Sequence, residues 1–100
     1  DGIKSTQDTD SSLGYVVITG GIIDINAQDE AVSAVTFVKI SGGDLKIDTA
    51  NNAVKAGTTV EISGGKVMIS TDDKGLVCAE EKIGLKAEVS VNGSKLIANY

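Results

Sequence analysis

The sequence predicts an all-β chain wound as a parallel β-solenoid of about four coils, with three short strands per coil and no capping helix. Three observations predict it. Paired glycines recur at Gly20-Gly21, Gly42-Gly43 and Gly64-Gly65, 22 residues apart both times. The flanks of each pair repeat the same aliphatic alternation, as in Val38-Lys39-Ile40 before and Leu45-Lys46-Ile47 after the second pair. The chain contains no proline, which suits a body of paired strands because proline lacks the ladder donor. A fixed period of this size marks stacked, near-identical units.

Each coil offers three stretches of alternating apolar residues, the pattern of half-buried strands. The first set is Ile3-Lys4-Ser5, Val32-Ser33-Ala34, Val54-Lys55-Ala56 and Leu76-Val77-Cys78. The second is Val16/Ile18, Val38/Ile40, Val60/Ile62 and Val89/Val91. The third is Ile23/Ile25, Leu45/Ile47, Val67/Ile69 and Leu96/Ala98. Intervening residues such as Lys39, Lys46 and Glu61 belong to the solvent side. Frequent Gly, Val, Ile and Thr disfavour helix. Equivalent strands one coil apart pair in parallel at about 4.8 Å, so like residues form ladders. The Gly pair occupies the corner between second and third strands, where at least one residue needs φ > 0.

The middle coils run 29–50 and 51–72. Seven extra residues fall within 6–14 in the first coil and seven within 79–87 in the last, at one corner. Such insertions in solenoids map to loops on one face. Asp1 and Tyr100 fall at nearly the same corner, and neither end is expected to carry a cap. Bare strand edges invite pairing. The expected partners are therefore further coils of a longer chain, or other copies through exposed end coils.

One hundred residues make a single domain, 1–100. No apolar run is long enough to insert in a membrane as a helix. The opening Asp1-Gly2, with no basic apolar leader, is that expected of a mature product or an excised segment. The net charge of −5, with lysine but no arginine, argues against nucleic acid. A single cysteine forms no internal disulfide. No histidine is present, which removes a Ser-His-Asp triad and leaves Cys78 without an activating base. Cys78 aligns with Ser5, Ala34 and Ala56 in a small inward column. The chain is therefore read as no enzyme.

The corner phrase Asp1-Gly2-Ile3-Lys4-Ser5, Asp29-Glu30-Ala31-Val32-Ser33-Ala34 and Asn51-Asn52-Ala53-Val54-Lys55-Ala56 is followed each time by an aliphatic-Gly-Gly-aliphatic phrase. Together they resemble a bacterial carbohydrate-binding domain family with D-D-G-I and I-S-G-G-T-[IV]-x-I repeats. The resemblance covers essentially the whole chain. It implies a right-handed parallel β-helix of the pectate-lyase type and a secreted or cell-surface location. It also implies an acidic or neutral polysaccharide or surface glycan as partner, and Ca²⁺ as a candidate cofactor. The chain departs from the pattern at Asn51-Asn52, Asp73-Lys74, Ala31 and Ala53.

Two sets of site residues stand out. Tyr15 and Phe37 share a column on adjacent coils, a candidate platform for sugar C–H surfaces or else a cover over the core. The column is expected to continue as Thr59 and Glu88. Asp8 and Asp10 in the first loop, and Asp29 and Asp73 on either side of Asn51, are candidate metal ligands. The competing reading of the latter is a structural Asx ladder that satisfies corner backbone groups. Two function classes follow. One is a non-catalytic extracellular polysaccharide-binding module. The alternative is a structural subunit that assembles head to tail into filaments.

Overall fold

A computed structural model describes residues 3–5 and 14–96. Its elements, all strands, are β1 (Ile3–Ser5), β2 (Tyr15–Ile18), β3 (Ile22–Ala27), β4 (Val32–Ala34), β5 (Phe37–Ile40), β6 (Asp44–Thr49) and β7 (Val54–Ala56). They continue as β8 (Thr59–Ile62), β9 (Lys66–Thr71), β10 (Leu76–Val77), β11 (Glu80–Ile83), β12 (Glu88–Val91) and β13 (Ser94–Leu96). The strands sort into three sheets, β1-β4-β7-β10, β2-β5-β8-β11 and β3-β6-β9-β12-β13. We call them sheets 1, 2 and 3. Every coil contributes one strand to each, and consecutive coils pair in parallel, as Val38↔Val60 and Leu45↔Val67 show. The chain is a parallel β-solenoid of four turns.

The register puts like residues on like. Val32, Val54, Val38, Val60, Leu45 and Val67 line the interior, joined by Ile40, Ile62, Ile47 and Ile69, and all are buried. Lys39 and Lys46 stay exposed on the same strands. Alternation therefore does the sorting: one residue enters the ladder and the next faces water. Corners hold the coils at strand spacing. Gly65 has φ +85°, and a Cβ there would sit 2.8 Å from the Gly42 carbonyl carbon below. Only glycine combines that left-handed backbone with so close an approach.

The last coil differs from the sequence expectation. Residues 80–83 are not a protrusion; they are the second strand of the fourth coil. β11 pairs with β8, with Glu80↔Thr59 and Ile83↔Ile62. That offset is 21 residues, one short of the period, and a residue is regained at the corner 84–87 before β12 resumes the 22-residue register at Val89↔Val67. Val89 and Val91 therefore belong to sheet 3, not to a second strand. Ile83, 1% exposed, extends the Ile18–Ile40–Ile62 column and fixes this register. Gly93 does not lie at a coil corner like the paired glycines. Asn92 (φ 51°) and Gly93 (φ 83°) form a two-residue turn, and β13 runs back antiparallel on β12. Left-handed conformations at both central residues define the hairpin turn that Asn-Gly favours. Leu96, expected in the third parallel set, therefore lies on an antiparallel strand, and Ala98 of the same expected strand lies outside the described residues.

This changes the C-terminal end of the solenoid. The last edge of sheet 3 is a short antiparallel strand instead of a bare parallel one. In sheet 2 the last strand places Glu81 opposite Val60, in the inward column of Val16, Val38 and Val60. A charge at a core-facing position of an edge strand is a known obstacle to further strand addition. The alignment of Asp1 with Tyr100 lies outside the described residues.

Candidate functional site

The predicted site residues separate onto two parts of the molecule. Tyr15 and Phe37 open the outer face of sheet 2, as register partners of β2 and β5. Their rings stack with centroids 4.9 Å apart and planes 4° from parallel. Parallel pairing one coil apart produces this directly, since it sets neighbouring side chains about 4.8 Å apart. Tyr15 is exposed and Phe37 half-buried. The pair spends one face of each ring on the other. The remaining face of Phe37 looks toward coil three, where its column continues as Thr59 and then Glu80, instead of the expected Glu88.

That side of Phe37 opens into a hollow of about 290 Å³, lined by Thr36, Phe37, Val38, Lys39, Thr58, Thr59 and Glu61. The residues around it are an aromatic, a valine, three threonines, a lysine and a glutamate, and most of the lining surface is apolar. The second outward column of the sheet reads Val17, Lys39, Glu61, Lys82. Lys39 Nζ lies 3.8 Å from Glu61 Oε2, and Lys82 Nζ lies 3.1 Å from Glu80 Oε1. Both pairs are half-exposed, so they order the side chains more than they stabilise the fold. The outer face of sheet 2 thus grades from apolar at Tyr15 and Val17 to polar and charge-paired at coil four. Sequence reasoning found the aromatic pair and its continuation at Thr59, but did not place Thr36, Thr58, Lys39 and Glu61 beside it. The signal for Lys39 and Glu61 was present in their shared column, which the alternation marks only as solvent-facing.

The acidic candidates behave differently. Asp8 and Asp10 lie outside the described residues. Asp29 and Asp73 sit at the corner between sheets 3 and 1 with Asn51 between them. Asn51 Nδ2 donates to Asp29 Oδ1 at 2.9 Å, and Asn51 Oδ1 accepts from the Asn52 amide at 2.9 Å. The buried threonines of the column complete the corner. The Thr49 hydroxyl donates to the Asp29 carbonyl, and Thr71 does the same to Asn51. The same hydroxyls accept from the amides of Asn51 (3.3 Å) and Asp73 (3.1 Å). Hydrogen bonding from Glu30, then from Asn51, holds the Asp29 carboxyl below its ordinary value.

Calcium asks for six to eight oxygens around one point. Among the described residues no three Cys, His, Asp or Glu side chains converge. Asn52 Oδ1 is buried without a partner, yet Asp29 Oδ1 is already committed to Asn51. The described corner does not fit a calcium cage, and its geometry is that of an Asx–Thr ladder. Cys78 is half-buried against the core as a free thiol.

A family model described as carbohydrate-binding domain-containing protein matches residues 1–98. The chain belongs to this family. Searches of the curated proteins and of the solved structures found no match.

Proposed function

We propose that the chain is a non-catalytic, extracellular polysaccharide-binding module whose binding surface is the outer face of sheet 2. One observation carries the reading: the hollow beside Phe37, with Thr36, Thr58 and Thr59 around it and the Lys39–Glu61 pair at its margin. Sugars offer a C–H face and a rim of hydroxyls. An aromatic ring suits the first, and paired donors and acceptors suit the second. Thr59 opens β8, and Thr36 and Thr58 stand at corners whose amides bond to the Gly14 and Thr36 carbonyls of the preceding coils, so the surface is held in place before a ligand arrives, which lowers the ordering cost of binding.

A hydrolytic role finds no support at this face. Glycoside hydrolysis uses two carboxyl groups flanking one bond, and Glu61 is the one carboxylate lining the hollow. No histidine is available as a base anywhere in the sequence.

Retention on insoluble polysaccharides tests the proposal. The double variant Tyr15→Ala, Phe37→Ala should lose retention while its far-ultraviolet circular dichroism keeps the β signal. Thr59→Ala should weaken retention several-fold. A wild-type chain not retained on any of a panel of neutral and acidic polysaccharides contradicts the reading.

A further inference from the structure

A second hollow adjoins the first on sheet 2. It measures about 530 Å³ and is lined by Lys39, Glu61, Ser63, Lys82 and Gly84. The two share Lys39 and Glu61 in their linings. The first hollow lies over coils two and three near the starts of the strands. The second lies over coils two to four near their ends, where Ser63 and Gly84 follow β8 and β11. The line from Phe37 to Gly84 therefore crosses the sheet obliquely. It advances two coils, about 10 Å, and some four residues along a strand, about 13 Å, or about 16 Å on the diagonal. That is longer than a disaccharide.

The charges along this path are balanced. Lys39 has Glu61 at 3.8 Å, and Lys82 has Glu80 at 3.1 Å. A net charge of −5 adds a repulsive background for polyanions. The face therefore offers donors and acceptors in compensated pairs, which fits a ligand rich in hydroxyls and free of charge.

We infer that the ligand is an extended, uncharged polysaccharide laid obliquely across sheet 2, occupying both hollows, with the Lys39–Glu61 pair bonding to the unit that bridges them. The inference rests on the binding face proposed above. Ser63 and Lys82 then form a second subsite, distinct from the aromatic one.

Calorimetric titration of the intact chain with β-1,4-linked oligomers of glucose and of mannose tests it, comparing disaccharide with hexasaccharide. The hexasaccharide of at least one series should bind ten-fold or more tightly than its disaccharide. Lys82→Ala and Ser63→Ala should each weaken the hexasaccharide several-fold and leave the disaccharide unchanged. Both side chains are on the outer surface, and circular dichroism verifies that the variants fold. A galacturonic acid hexamer should bind more weakly than the neutral hexamer. Equal affinity for both lengths, or hexasaccharide binding indifferent to both substitutions, overturns the oblique path while the binding face stands. Tighter binding of the galacturonic acid hexamer overturns the uncharged ligand class. Absence of binding by every oligomer, neutral or acidic, overturns the inference together with the face on which it rests.

Discussion

Thr71 shows how much a single side chain does in this fold. It is buried, donates its hydroxyl to the Asn51 carbonyl, and accepts the Asp73 amide on the same oxygen. Its own amide donates to Asn92 Oδ1 at 2.8 Å. Two coils and the hairpin turn meet at this one residue. Thr71→Val keeps the shape and removes the hydroxyl, leaving a carbonyl and an amide without that partner. Chemical denaturation should show a loss of about 1–3 kcal/mol, the usual cost of orphaned polar groups. Because the corner is held by hydrogen bonds, a chelator should leave the melting temperature of wild type and variant unchanged.

Asp29 carries a pH prediction at the same corner. Its carboxyl is held below the ordinary 3.8 by hydrogen bonds from Glu30 and Asn51. The folded state therefore favours the ionised form. Its contribution to stability is complete above 3.8 and is lost as the pH falls through the lowered folded value. Asp29→Asn should flatten the acid limb of the stability profile below 3.8 and lower the plateau above it, where the wild-type contribution is complete.

At the scale of elements, the sequence was most readable where the period was kept. The middle coils hold the 22-residue register, so β4 to β9 fall where Val, Ile and Leu alternate. β11 was hidden for two physical reasons. Its residues Glu80, Glu81 and Lys82 lack apolar alternation, and its offset slips by one. Only Ile83 carried the ladder signal. The nearby Val89-Ser90-Val91 alternates cleanly and drew the second-strand assignment away from it. The Asn92-Gly93 turn was legible in principle, since Asn-Gly between alternating segments marks a hairpin. The repeat register overrode that local signal. The aromatic stack needed only column alignment, whereas the hollow beside it depends on how corner threonines and strand side chains meet in space.

The hairpin makes a testable element. Gly93 has φ 83°, and a Cβ there would meet nothing within 4 Å. Any cost of Gly93→Ala is therefore conformational, about 1–2 kcal/mol for a left-handed L-residue. Hydrogen exchange should find the β13 amides less protected in the variant, with β6 and β9 unchanged. Equal protection at β13 would mean that the turn does not govern that strand.

At the scale of the whole molecule, the solenoid is asymmetric. Its interior columns are continuous through coils two and three, but at the last coil the Val16–Val38–Val60 column meets Glu81. Sheet 3 ends there on the antiparallel β13. Both features oppose a further parallel coil at this end. Glu81→Val should extend the apolar column to the end surface and promote association. Light scattering should then show an apparent mass that rises with concentration in the variant more steeply than in wild type. Identical behaviour of the two chains would show that the charge does not guard the end.

The central claim is that the outer face of sheet 2 binds polysaccharide, and the most direct test reads every amide at once. A ¹⁵N-labelled chain titrated with the tighter-binding neutral hexasaccharide should show chemical-shift changes at Phe37, Lys39, Thr58, Thr59, Glu61 and Ser63. The amides of β6 and β9 in sheet 3 and of the Asp29–Asn51 corner should stay in place. Changes centred on sheet 3 or on that corner, with sheet 2 silent, would contradict the account.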